Sequence, residues 1–137
     1  VYKSSFYPHL GFETTPFIGA CQEGNTEIVK VMINSSEKLD IDLKIRDDYG
    51  QTGFTAACWK GHTEIANLMI QSSKVLGIDL NVRGALGYTG FMSACLDGHP
   101  EIVELLVNSS KTFGIDLNVR DDYGETGFMK ACLKGQT

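Results

Sequence analysis

Thiols, imidazoles and carboxylates are the groups in this chain that could do chemistry. Cys21, Cys58, Cys95 and Cys132 could ligate a metal, pair as disulfides or attack an electrophile; His62 and His99 could act as bases; Asp42, Asp79 and Asp116 could serve as acids. Their spacing argues against all of these roles, because each set recurs at intervals of 37 residues. An active site needs unlike residues converging on one place, whereas like residues at a constant interval are one structural position written several times. Stacked helical units lie roughly 8 to 10 Å apart, and a disulfide wants Cα atoms within about 7 Å. There is no CxxC. The cysteines, each beside Ala20, Ala57, Ala94 or Ala131, are therefore expected to be small buried apolar residues. His62 and His99, with Asn25 at the same position, are expected to cap helices. No catalytic residue, metal or cofactor is expected, and the chain is not read as an enzyme. Asn34-Ser35-Ser36 and Asn108-Ser109-Ser110 match the glycosylation sequon, but buried free thiols favour a reducing compartment, where such acceptors are not used.

The elements that position these residues share the same interval. Thr15, Thr52, Thr89 and Thr126 coincide, as do Phe17, Phe54, Phe91 and Phe128, and Gly24, Gly61, Gly98 and Gly135. Such a period marks a supersecondary unit that cannot bury its own apolar face and must stack on its neighbours. The 137 residues suit one domain, with 42% hydrophobic and 21% charged residues typical of a globular chain. A net charge of -5 offers no surface to neutralise phosphates, so nucleic acid is not an expected partner. No run of about 18 apolar residues suggests membrane insertion, and Val1 to Leu10 lacks the apolar core of a signal peptide. The expected location is cytoplasmic, with the nucleus left open, and the expected state is monomeric.

In the second unit, Thr52 predicts an N-cap for a helix reaching Lys60, with Phe54, Ala57 and Cys58 as its buried stripe. Gly61 predicts a left-handed stop. A second helix follows His62, carrying Ile65, Leu68, Met69 and Leu76 at helical spacing, with Glu64 suiting its dipole. Leu39, Leu76 and Phe113 recur just before the IDLNVR-like stretch, which predicts about one extra turn on the second helix. The stretch itself alternates apolar and polar residues and ends at a glycine, predicting a short extended arm with a hairpin-like tip. Residues 1–14 do not fit the pattern and are read as an irregular N-terminal segment, with Phe6, Tyr7 and Phe12 covering the first unit. Units are expected at about residues 15–51, 52–88 and 89–125, with a partial fourth at 126–137. The missing second helix of that unit suggests a fragment of a longer array.

Gly50-Gln51-Thr52-Gly53-Phe54, Ala57-Cys58, Gly61-His62-Thr63-Glu64-Ile65 and Gly77-Ile78-Asp79-Leu80-Asn81 resemble the ankyrin repeat pattern G-x-T-P-L-H-x-A-A, G-H-x-x-I-V-x-L-L and G-A-D-V-N. The units are longer than the family's usual 33 residues. T-P-L-H becomes TGF followed by Thr55, Met92 or Met129, so the inter-unit bonding of the family's histidine is not expected. The resemblance implies an all-α ankyrin-type solenoid with hairpin-like tips that binds a protein partner. It also implies that specificity lies on the tips and at the exposed ends of the first helices. The partner-binding residues expected there are Trp59, Lys60, Leu86, Tyr88, Met92, Leu96, Asp97, Tyr49 and Tyr123. The alternative is a structural spacer, or a targeting array attached to a domain outside this chain.

Overall fold

The computed structural model describes residues 15–133. The irregular segment expected over residues 1–14 and the chain after residue 133 lie outside the described residues. Those described form an all-α array of eight helices: α1 (Pro16–Glu23), α2 (Thr26–Asn34), α3 (Ser36–Leu39), α4 (Gly53–Lys60), α5 (Thr63–Leu76), α6 (Gly90–Leu96), α7 (Pro100–Phe113) and α8 (Gly127–Leu133). The short helices α1, α4, α6 and α8 stack in one row, and α2, α5 and α7 back them in a second.

Each short helix starts at a threonine whose hydroxyl takes one of the amides that the first turn leaves unpaired. Thr15 Oγ1 accepts from Ile18 N at 3.1 Å, Thr89 from Met92 N at 3.2 Å and Thr126 from Met129 N at 3.3 Å. In α4 the cap is reciprocal: Thr52 Oγ1 accepts from Thr55 N, and Thr55 Oγ1 accepts from Thr52 N at 2.8 Å. Such a cap stabilises a helix by about 1 kcal/mol. Gly24 and Gly61, at φ 77° and 81°, end α1 and α4 in the left-handed region where a side chain would be strained.

The core runs continuously between units. Phe17, Phe54, Cys21 and Cys58 are fully buried, with Ile65, Met69 and Ile102 behind them. Burying side chains of this size stabilises the fold by about 1.5–3 kcal/mol each. The ring of one unit rests on the first turn of the next, and this accounts for the glycine in TGF. A Cβ at Gly53 would stand 2.6 Å from Phe17, and one at Gly127 2.6 Å from Phe91. A Cβ at Gly90 would stand 2.9 Å from Cys58 Sγ. The large Phe and the small Gly are thus one coupled departure from the P-L pattern, with the cysteine filling the space beside them.

Three expectations are corrected. The extra turn is continuous in α5 and α7, packed by the half-buried Leu76 and Phe113. In the first unit, however, the backbone leaves helical geometry at Ser35, α3 stands as a separate turn, and Leu39 is exposed. That unit closes on Asp40 at φ 55°, where later units have glycine. Second, His62 and His99 occupy N-cap positions but make no side-chain cap. Each reaches back one unit instead: His62 Nε2 lies 2.8 Å from Gln22 O, and His99 Nε2 2.8 Å from Trp59 O. A carbonyl can only accept, so Nε2 carries the proton. The inter-unit bond not expected without the family's histidine is therefore made from a different position. Third, Met92 is buried in α6, since the third residue of a short helix turns inward there. It is removed from the expected contact surface.

Candidate functional site

The tips are built by aspartates. Asp47 Oδ1 accepts from Tyr49 N and Gln51 N, both at 2.9 Å, while Asp47 N donates to Gln51 O. Asp121 makes the same bonds with Tyr123 and Glu125. This Asx geometry replaces the ladder of a longer hairpin with a side-chain acceptor. Arginines brace each tip from below: Arg46 Nε donates to Gly50 O, Arg83 Nε to Gly87 O and Arg120 to Gly124 O. The tips are also tied to one another, Ala85 N donating to Tyr49 O at 3.1 Å and Asp122 N to Leu86 O at 3.0 Å. The arms contain no regular strand among the described residues; they are turns linked in series.

The second unit has Gly84 where its neighbours have Asp47 and Asp121, so its tip lacks the carboxylate. It closes through Gly84 N to Tyr88 O at 2.8 Å and a 3₁₀ turn at Ala85–Gly87, with Leu86 left-handed at φ 62°. One position on each short helix also varies: Gly19, Ala56, Ser93 and Lys130 are equivalent. Lys130 is almost wholly buried. Its ammonium pairs with Asp121 Oδ2, an ion pair rather than an aligned hydrogen bond, and with Glu125 Oε1 at 3.0 Å. It lies 4.4 Å from the centroid of the Tyr88 ring. Burial alone would push the Asp121 carboxyl up, but the Lys130 ammonium and the amides of Glu125 and Tyr123 outweigh it and hold it below the usual 3.8. Burial alone would lower Lys130, but the side chains of Asp121, Tyr88 and Glu125 outweigh it and raise it above 10.5.

At the tip of the second unit the place corresponding to this ammonium is bounded by Gln51, Gly84, Tyr88 and, on the next short helix, Ser93. No charged side chain stands there, and the surface opens into a groove of about 630 Å³. It runs between the tips and the ends of α1, α4 and α6. Of the residues expected from sequence, Tyr49, Trp59, Lys60, Leu86, Tyr88, Leu96 and Asp97 all line it. Tyr123 is strongly exposed on the next tip and is not part of this lining. Sequence reasoning missed Asp47, Thr55 and Ser93 as lining residues. The signal available for Ser93 was the unlike set Ala56, Ser93 and Lys130 at one register position.

Trp59 is 42% exposed, and the Lys60 ammonium sits 4.5 Å from its ring centroid. Asp47 Oδ2 is buried without a hydrogen-bond partner. The thiols are remote from this chemistry. Burial pushes Cys21 up to about 12 and Cys95 up to about 11, and raises Cys58 further, while Cys132 on α8 is exposed. Among the described residues no group of three or more His, Cys, Asp or Glu side chains is placed to hold a metal ion. No helix among them is long and apolar enough to cross a membrane.

Two family models match the sequence. One, described as ankyrin repeats (3 copies), covers residues 3–84, and the other, ankyrin repeats (many copies), covers residues 75–126. Comparison with curated proteins gives no match. Ankyrin repeats generally mediate protein–protein interaction. With paired helices stacked in register, tips linked in series and family models matching most of its length, the chain belongs to the ankyrin repeat family.

Proposed function

We propose that this array is a non-catalytic interaction module that binds a protein partner in the groove between its tips and the ends of α1, α4 and α6. The observation that carries this reading is the composition of the groove: Tyr49, Trp59, Leu86, Tyr88 and Leu96 line one continuous concavity. Interface centres favour aromatic and other large apolar residues, surrounded by a polar rim. A non-catalytic role is supported by the state of the reactive groups. The imidazoles of His62 and His99 are engaged with helix-end carbonyls, and the buried thiols are held protonated. The net charge of -5 speaks against a nucleic-acid partner.

Affinity capture with the 137-residue chain, repeated with Trp59→Ala and Leu96→Ala, tests this reading. Truncating an anchor of this kind typically costs about 2 kcal/mol or more of binding. Both variants should lose the captured partner while melting like the parent, and Asp122→Ala on the neighbouring tip should retain it. Retention by both groove variants would place the partner elsewhere.

A further inference from the structure

We infer that the partner presents a basic side chain, lysine or arginine, to this groove, carried on an extended segment with apolar neighbours. This deepens the proposed function and rests on it. The protein itself shows an ammonium held between a tip and a tyrosine ring. One unit further along, the Lys130 ammonium lies against the Tyr88 ring and is balanced by Asp121 and Glu125. In the groove, Gly84 and Ser93 stand where Asp121 and Lys130 do, Gln51 where the ring beneath Lys130 does and Tyr88 where Glu125 does, so the corresponding place is open and has the Tyr88 side chain, rather than a carboxylate, as its wall. The charge there is complementary to a cation. Glu23, Asp47 and Asp97 line the groove, and Lys60 is the single basic residue among its lining. Asp47 Oδ2 has no hydrogen-bond partner within the protein, and Lys60 on Trp59 shows that the second aromatic face of the groove also accepts an ammonium. A cation over an aromatic face is attracted by the ring quadrupole, more strongly where water is excluded. An acidic segment would instead meet three carboxylates and be repelled.

Selection of a random 12-residue peptide library displayed on phage against the immobilised 137-residue chain tests this. Clones that bind the parent but not Trp59→Ala are expected to share one Arg or Lys with apolar residues beside it. Replacing that residue by citrulline or norleucine should weaken binding about tenfold or more. Asp47→Asn combined with Asp97→Asn should do the same, since an asparagine at the tip keeps a side-chain oxygen to accept the Tyr49 and Gln51 amides and removes only the charge. Binding should also weaken with added salt. Trp59-dependent peptides without a shared basic residue, or with affinity unchanged by the paired Asn substitutions, would overturn the inference and leave the groove as a docking site. Selected peptides that all ignore Trp59→Ala would overturn both.

Discussion

Individual side chains carry two measurable consequences. Cys58 and Cys95 are buried and their thiols raised in pKa, Cys95 up to about 11, whereas Cys132 is exposed. Only the thiolate is nucleophilic. At about pH 8, iodoacetamide should therefore label Cys132 quickly and Cys21, Cys58 and Cys95 only slowly without denaturant; rapid modification of all four would contradict the packing. The four cysteines were legible as one repeated position; Cys132 differs from the other three because burial depends on the cover over each helix and not on the position itself. The second consequence concerns Asp121. Its folded pKa lies below 3.8, so its stabilising contribution is present above that value and is lost as pH falls through the folded one. Lys130, raised above 10.5, keeps its charge through the neutral range. Asp121→Asn should lower the melting temperature at about pH 7 and flatten its decline on acidification. Parallel melting curves for parent and variant from about pH 7 to 3 would show that the pair contributes nothing. Neither residue was singled out from sequence, since Lys130 and Asp121 lie nine positions apart and meet only when the tip folds back over α8.

Helices and tips show where local sequence suffices and where it does not. Thr52, Gly61 and the Phe54-Ala57-Cys58 stripe specify α4 by themselves, and the structure has that helix at Gly53–Lys60. The role of Gly53, Gly90 and Gly127 emerges only between units, where each meets the ring or thiol of the preceding helix. Gly90→Ala should destabilise the array by about 1–3 kcal/mol, the usual cost of overpacking a filled core. A Cβ at Gly19, the position of Ala56, would meet nothing within 4 Å, so Gly19→Ala should stabilise α1 by about 0.5–1 kcal/mol. Chemical denaturation of both variants checks the opposite signs. The histidines failed as caps for the same reason that the glycines were opaque: their partners belong to another unit. A helix end exposes carbonyls as well as amides, and His62 and His99 serve the carbonyls of α1 and α4 rather than the amides of their own helices.

Across the whole molecule, stability is distributed over unit-to-unit contacts, as expected of a quasi-one-dimensional stack. That regularity made the fold readable from a 37-residue interval alone. It also concealed the groove, which opens where the repeat is atypical: Gly84 and Ser93 stand where a carboxylate and an amine stand later. Trp59, Tyr88, Leu96 and Asp97 were identifiable as variable positions on a constant frame. Asp47 and Thr55 were not, because both also serve the tip and the cap. On the proposed reading a partner docks on this concave side rather than on the backing row of α2, α5 and α7. Amide hydrogen exchange of the 137-residue chain, with and without a captured partner, tests it most directly. Exchange should slow in residues 47–51, 59–61, 84–88 and 95–98, with α5 and α7 unchanged; protection confined to α5 and α7 would contradict docking in the groove.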